Sequence, residues 1–249
     1  MTTLAELTAH YDFAMSEMYW AFDRLQRAVP PPTLVERTKR VVVYRYQQKT
    51  IQQALILKLA RLISAMRATK TLIDEGHTLE AGALQRVLDE TAQDIALLAG
   101  PLTMGKYEAI HDEFLAYFWE EEFDNPDEPI KSTQKRGMVK RSKIQAYNAR
   151  SFGLEDPSTM QAASNSLFKA FSGYIHGASE HILDVYDGHG FHLAGVKGAP
   201  VHDSAINGFV NYVYRSLIDT NMVAMALQDD VAIERLYKSV DMVAKATGL

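Results

Sequence analysis

The sequence predicts an all-α protein: a single helical bundle domain of about seven or eight helices with one glycine-rich loop, spanning residues 1–249. Two observations predict this class. Apolar residues recur at three- or four-residue steps over long stretches, as on the buried face of a helix. Proline and glycine stand at the ends of those stretches, where helices stop. Within the domain we expect an N-terminal helix with a proline stop (1–32), a core bundle (33–227) and a C-terminal helix (228–249).

The composition is that of an ordinary globular protein, and it excludes several classes. Of the 249 residues, 47% are hydrophobic and 23% are charged, and the net charge is −5. A dedicated duplex-DNA binder usually has a global basic excess, so a nucleic-acid role would need a local patch. Cysteine is absent, which excludes disulfides and thiolate metal sites. Because we find neither a signal peptide nor an apolar run of about 18 residues, we expect a cytoplasmic protein that does not cross a membrane.

Three prolines separate the first two predicted helices. Leu4–Ala28 has helical apolar spacing, and the proline run at 30–32 ends it because proline lacks an amide donor. Thr33 is the predicted N-cap of a second helix, Leu34–Asp74, which contains neither proline nor glycine. A helix of about forty residues is long against a mean of about 11–12, so a break near Gln47–Thr50 is an open alternative.

Two shorter helices complete the first half of the chain. Thr78–Leu98 is predicted with Thr78 as its N-cap and the Gly100-Pro101 pair as its end. Met104–Glu122 is predicted as the fourth helix from its aromatic and aliphatic spacing.

Charge then separates into two blocks. Residues 120–128 contain six acidic side chains, and Lys131–Arg150 contains seven basic side chains and no acidic one. Such blocks usually form an exposed loop and a solvated helix face. Two alternatives stay open for the basic stretch 131–150: a surface for RNA or an acidic protein partner, or an internal charge match with the acidic loop.

The longest clean amphipathic helix is predicted over Gln161–Asp187. Its apolar residues share one face, and His176 and Glu180 lie on the opposite one. Gly173 and Gly177 form a stripe beside His176. Because glycine inside a helix costs about 1 kcal/mol relative to alanine, the pair indicates that another helix or a ligand comes close there. A glycine-rich loop at 188–200 and two last helices, at 205–227 and 231–246, are predicted to follow.

His176 has three interpretations. It is a structural histidine bonded across a helix contact, a general acid or base oriented by Glu180, or a ligand of a divalent metal. Five of the eight histidines lie within 27 residues among several carboxylates, but the known metal-binding spacings are absent. We therefore name no metal ligand and no cofactor, and keep a divalent metal as the minority alternative. The five histidines are His176, His181, His189, His192 and His202.

Two segments resemble a family of bacterial all-helical domains of unknown function, over roughly residues 50–227. In the first, a helix ends at glycine and the next carries Glu-Ala, then arginine, then glutamate. In the second, the pattern is Ser-x-Tyr-hydrophobic-His-Gly. The matching residues are Gly76, Glu80, Ala81, Arg86 and Glu90, then Ser172, Tyr174, Ile175, His176 and Gly177.

The resemblance implies a helical bundle that brings the Arg86–Glu90 helix near Tyr174 and His176. The plainer interpretation of Arg86 and Glu90 is an exposed pair on one helix, worth about 0.3–0.5 kcal/mol. Such families are distantly similar to the HEPN superfamily, many of whose members are ribonucleases in phage-defence and toxin–antitoxin systems. The ribonuclease motif of that superfamily is an arginine followed four to six residues later by a histidine, and this sequence lacks it.

Two functions follow as hypotheses, and whether the protein is an enzyme is left open. The missing motif favours a self-associating interaction module, acting through a protein partner in a bacterial or phage stress or defence setting. HEPN-like domains commonly pair, so the resemblance implies a homodimer. The alternative is a hydrolase acting on RNA or a nucleotide, with or without a divalent metal. Its candidate catalytic residues are His176, Glu180, Tyr174, Arg86 and Glu90.

Overall fold

The computed structural model of the protein describes residues 2–38, 41–152 and 157–249. This part of the chain forms nine α-helices, one short 3-10 turn at Pro129–Lys131 and one two-stranded antiparallel sheet. The helices are α1 Leu4–Gln26, α2 Ile51–Glu75, α3 Thr78–Met104, α4 Ala109–Phe118, α5 Arg141–Phe152, α6 Pro157–His176, α7 Ser179–Leu183, α8 Pro200–Ala226 and α9 Asp230–Thr247, and the strands are β1 Thr33–Thr38 and β2 Val41–Arg45. The predicted all-α class is confirmed.

The core lies between the long helices. α3 packs against α2 and α8, and α8 in turn packs against α1, α2 and α9. Side chains of all five helices form one buried apolar cluster, together with a few from α4 and α5. α6 lies on the outside of this arrangement, against α3 and α5. The helices α5 and α6 therefore cover one side of the α3–α8 pair.

α1 has nearly the predicted bounds. Its first turn is held by a capping box, in which the Thr3 hydroxyl accepts a hydrogen bond from the Glu6 amide and the Glu6 carboxylate accepts one from the Thr3 amide. Leu7, Met18 and Leu25 on its inner face are fully buried.

The predicted second helix, Leu34–Asp74, is wrong in its first third. Residues there form the β1–β2 hairpin, with Leu34 opposite Tyr44. The reason is local, because the β-branched Val41–Val43 run favours a strand and suffers in a helix. α2 begins at Ile51, where Thr50 and Gln53 make a second capping box. A boundary does lie near Gln47–Thr50, as the alternative predicted, but strands and not a helix precede it. Thr33 belongs to a strand instead of capping a helix.

The Gly100-Pro101 pair does not end α3, which continues to Met104. Proline at 101 removes the amide that would bond the Leu97 carbonyl one turn earlier. His111 of α4 replaces that donor, since its Nε2 lies 3.1 Å from the Leu97 carbonyl oxygen. The tertiary structure thus supplies the hydrogen bond that the helix itself lacks.

Two further helix boundaries differ from the prediction. Thr78 is the first residue of α3 instead of its cap, and His77 in the cap position makes no side-chain capping bond. α4 covers only Ala109–Phe118 of the predicted Met104–Glu122, because α3 extends to Met104 and Gly105, at a φ of +66°, ends it.

The stretch Gln161–Asp187 is not one helix, contrary to the prediction. α6 ends at His176, and Gly177 has a φ of +63°. The amide of Ala178 bonds the Gly173 carbonyl at 2.9 Å, which is the closing bond of a glycine-terminated helix. The helical-wheel relation between His176 and the residues after Gly177 therefore does not hold. The group that comes close to Gly173 is the imidazole of His181 in α7.

The two last helices and the loop before them agree with the prediction, α8 starting five residues early at Pro200. Proline suits a first helical position, since its amide is not needed there. A membrane-crossing helix, long and apolar enough for a bilayer, is not found among the residues that the structure describes. Gly153 and Pro157 predict a loop before the stretch Gln161–Asp187, and residues 153–156 lie outside the described part of the chain.

Candidate functional site

A cavity of about 220 Å³ lies between α3, α5, α6 and α8. We call it the Asp219 cavity. Its apolar lining comes mainly from alanines of α3 and from Leu167 and Phe168 of α6. Its polar lining residues are Arg86, Asp89 and Gln93 of α3, Gln145 and Asn148 of α5, Ser164 of α6, and Arg215 and Asp219 of α8.

One carboxylate of the cavity is fully used by the protein. The Arg215 guanidinium donates to one oxygen of Asp89 at 2.8 Å, and the Tyr212 hydroxyl donates to the other, also at 2.8 Å. Burial and the Asp89 charge raise the pKa of Tyr212, so its phenol keeps the proton that it donates. Asp89 is 6% exposed. It therefore joins α3 to α8 as a structural charge pair.

Arg86 joins α3 to α6 at the other side of the cavity. Its Nε donates to Glu90 at 3.0 Å, and its guanidinium lies 3.7 Å from the ring centroid of Phe168. Glu90 is also 3.8 Å from the Arg141 guanidinium of α5. The Nη1 of Arg86 is buried and has no hydrogen-bond partner in the described part of the chain. One donor of a charged group is thus free.

Asp219 lies one turn after Arg215 on α8 and has no hydrogen bond with any described residue. Burial raises the pKa of this carboxyl from 3.8 to about 7, and Asp89 raises it further while Arg215 opposes the shift. A carboxyl group with that pKa exchanges its proton near neutral pH. It is chemically the most unusual group in the cavity.

Three amide side chains around the cavity are also incompletely bonded. Gln145 and Asn148 are 4% and 5% exposed. The Nδ2 of Asn148 donates to the backbone oxygen of Gln93 at 2.9 Å, which leaves its Oδ1 without a partner. The Oε1 of Gln93 and the Nε2 of Gln145 are buried and unpartnered as well, counting only described residues. Because each such atom costs about 1–3 kcal/mol, their concentration at one cavity indicates a binding site.

The structure does not bring the five candidate residues from the sequence together. Arg86 lines the Asp219 cavity, and Glu90 is its partner. His176 is exposed at the end of α6, and Glu180 is exposed at the start of α7. No hydrogen bond or ion pair between described residues connects His176 with Glu180 or with Arg86.

Tyr174, the fifth candidate, belongs to a different cluster. Its ring stacks on the imidazole of His181 with centroids 4.1 Å apart, and it covers Gly82 of α3. Its hydroxyl lies 3.3 Å from Asp184, and burial together with that carboxylate raises its pKa. α3 and α6 are neighbours, as the resemblance implied, but their contact at this level is aromatic packing.

Three of the five clustered histidines form hydrogen bonds with other groups of the protein. His202 is buried and its Nε2 lies 2.7 Å from the Ile73 carbonyl, while His181 Nε2 lies 3.0 Å from the Ala170 carbonyl. His192 pairs with Asp187 at 2.5 Å. No group of three or more potential ligands is arranged around a metal position within residues 2–38, 41–152 and 157–249. A divalent metal stays an untested prediction.

The basic stretch 131–150 is largely matched by acidic side chains of the protein itself. Five of its seven basic residues form ion pairs in the described structure, which favours the internal charge match among the interpretations. RNA contact through this stretch stays a prediction. Lys135 and Lys140, which form no ion pair among the described residues, are the two side chains free to make such a contact. The pairs are Lys131–Glu128, Arg136–Glu122, Arg141–Asp94, Lys143–Glu113 and Arg150–Glu108.

Sequence reasoning missed the main polar residues of the cavity. Asp219, Arg215 and Tyr212 all lie on α8, within about two turns of a helix whose other inward residues are mostly apolar. Ionisable residues between the buried Val213 and Leu217 were a usable indication of a polar interior site.

Comparison with known proteins adds no relative: no protein-family model, curated protein or solved structure matches this chain. The resemblance to bacterial helical domains, and more distantly to the HEPN superfamily, therefore stays a prediction.

Proposed function

We propose that this protein binds a small polar molecule in the Asp219 cavity. One observation carries the proposal: buried polar atoms without a partner, from four side chains of α3 and α5, surround the same cavity, and the Asp219 carboxyl of α8 adds a fifth group without a hydrogen bond from the described residues. A folded protein keeps buried polar groups bonded wherever it can. Groups left free on separate elements around an open volume are typical of a site that a ligand completes. The five residues are Arg86, Gln93, Gln145, Asn148 and Asp219.

The size of the cavity limits the ligand. Its volume of about 220 Å³ corresponds to roughly seven water molecules at about 30 Å³ each. Sites for drug-sized ligands usually have about 300–1,000 Å³. The cavity therefore suits a compact molecule and is too small for a whole nucleotide or a stretch of RNA.

Thermal unfolding with a panel of small polar compounds tests this proposal. A compound that binds the folded state at 100 times its Kd stabilises it by about 2.7 kcal/mol, which moves the unfolding temperature measurably. We expect Asn148→Ala to weaken binding because it removes one unpaired acceptor. The matched control is Asn211→Ala, an exposed amide on α8, which should leave binding unchanged. If no compound shifts the unfolding temperature of the wild type at millimolar concentration, the proposal fails.

Self-association is a second candidate function, and a different observation favours it. Large apolar side chains are exposed along α6, α7 and the loop that follows. The same segment carries exposed Lys169 and Glu180, opposite charges that a twofold arrangement of two copies can pair. The exposed apolar residues are Leu167, Ile175, Ile182, Leu183, Phe191 and Leu193.

Sedimentation velocity tests the dimer. We expect a concentration-dependent dimer for the wild type and a monomer for Leu183→Glu, because the new charge would lie inside the interface. Val231→Glu, which charges an exposed apolar position on α9, is the matched control and should still dimerise. A wild type that sediments as a monomer at all concentrations contradicts this candidate.

A further inference from the structure

In the described part of the chain, the ion pairs around the Asp219 cavity leave one of its two lining carboxyl groups without a partner. Arg215 is paired with Asp89, and Arg86 is paired with Glu90. The lining residues from α5 and α6 are uncharged. Asp219 is therefore the one lining carboxyl, among the described residues, without an ion-pair partner of its own.

Two amide oxygens and one carboxyl group of the cavity are acceptors without a hydrogen bond from the described residues. Asn148 presents Oδ1, and this orientation is fixed because its Nδ2 already donates to a backbone carbonyl. Gln93 presents Oε1, and Asp219 adds two carboxyl oxygens. The buried donors without a partner, among the described residues, are the Nη1 of Arg86 and the Nε2 of Gln145. A ligand that meets the acceptors presents several N–H donors.

We infer that the ligand of the Asp219 cavity is a compact organic cation with several N–H donors, of the amidinium, guanidinium or primary ammonium class. This inference rests on the proposed function and narrows its ligand class. The positive charge pairs with the Asp219 carboxylate, and the remaining N–H groups reach the amide oxygens of Asn148 and Gln93. Charge-assisted bonds of this kind are about twice as strong as neutral ones.

Proton exchange accompanies binding in this arrangement. In the empty cavity the carboxyl of Asp219 holds a proton up to about pH 7, because burial raises its pKa. The charged groups that face it are Arg215 on its own helix and Asp89 and Arg86 on α3. A cation binds the ionised carboxylate, so its affinity rises with pH up to about 7 and then levels off. An anion would bind the protonated form and show the opposite dependence.

Three nearly isosteric probes test the inference by calorimetry: acetamidinium, acetamide and acetate, with charges of +1, 0 and −1. For a carboxyl with a pKa of about 7, the ionised fraction is about tenfold larger at pH 8 than at pH 6. We expect acetamidinium to bind tightest of the three and about tenfold tighter at pH 8 than at pH 6. Asp219→Asn should abolish both the preference and its pH dependence, while Asp241→Asn on the exposed face of α9 should keep both.

The outcomes separate the two proposals. Tighter binding of acetate or acetamide than of acetamidinium overturns the inference and leaves the small-molecule site standing. Acetamidinium binding that Asp219→Asn does not weaken also overturns it, because the cation then binds elsewhere. If none of the probes binds at up to 50-fold molar excess over a millimolar protein sample, while another polar compound does, the ligand class is wrong. If nothing binds at all, the proposed function fails with it.

Discussion

Replacing Asp219 with asparagine is expected to stabilise the protein, and the gain should grow with pH. The wild-type carboxyl is half-buried beside α3 without a hydrogen bond from the described residues, and desolvation raises its pKa from 3.8 to about 7. One pKa unit corresponds to about 1.4 kcal/mol. A shift of about three units means that ionised Asp219 costs the folded state roughly 4 kcal/mol. Asparagine has nearly the same shape and no charge, so this amount is the upper limit of the gain.

The direction of the pH dependence follows from proton counting. Between about pH 4 and pH 7 the unfolded chain has released the proton of residue 219, and the folded protein still holds it. Since the folded state binds more protons, its stability falls as pH rises through this window, by up to about 1.4 kcal/mol per pH unit. Above about pH 7 the carboxyl is ionised in both states, so its contribution stays constant. The asparagine variant lacks this dependence.

Urea unfolding at pH 5, 6, 7 and 8 measures the effect. The difference in unfolding free energy between Asp219→Asn and the wild type should grow by roughly 2–3 kcal/mol from pH 5 to pH 7 and then level off. Asp241→Asn, which removes an exposed carboxylate paired with Lys245, controls for the loss of one negative charge. A difference for Asp219→Asn that does not change with pH refutes the reasoning. An equal slope for Asp241→Asn refutes it as well.

Three further predictions concern the packing of the helices and the candidate residues. His111→Leu should lower the free energy of unfolding by about 2–3 kcal/mol, because the Leu97 carbonyl, which has no amide partner at Pro101, is then left buried and unpaired. Pro101→Ala restores that amide, so the loss caused by His111→Leu should be smaller in the double variant, as measured by urea unfolding in a double-mutant cycle. Gly82→Ala places a methyl 2.6 Å from the Tyr174 ring and should cost about 1–3 kcal/mol; an unchanged unfolding temperature would contradict the described contact, and Tyr174→Leu should relieve part of the cost. His176→Ala should change stability by less than about 0.5 kcal/mol, since the side chain is exposed; loss of RNA cleavage by the folded variant, in an assay where the wild type cleaves, would support the hydrolase alternative.

Periodicity located most of the helices but not their interruptions. α1 and α9 were predicted within two residues at each end, because their apolar spacing and end residues are local properties of the chain. Helical spacing does not reveal the hairpin at Thr33–Arg45, because this stretch contains no glycine or proline to mark a turn, although its valines prefer a strand. The interruption at Gly177 was missed because a glycine is compatible with both a helix interior and a helix end.

The candidate site was less accessible to sequence reasoning. Arg86 was named for a resemblance, and the structure places it at a cavity whose other charged residues were not named. The predicted relation of His176 to Glu180 requires one continuous helix, and the turn at Gly177 removes that relation. Residues of one helix face can be inferred from spacing, but only while the helix continues.

The sequence by itself determined the helical class and the buried faces of the long helices, since both depend on side chains within about one turn of each other. The tertiary structure decided whether α3 passes through Pro101, because the replacement donor comes from His111 on another helix. The tertiary structure also forms the Asp219 cavity, where Asp89 and Arg215, which are 126 residues apart in the chain, make an ion pair. A buried polar side chain takes its protonation state and its partners from whatever packs against it, and helical spacing carries no information about that neighbour.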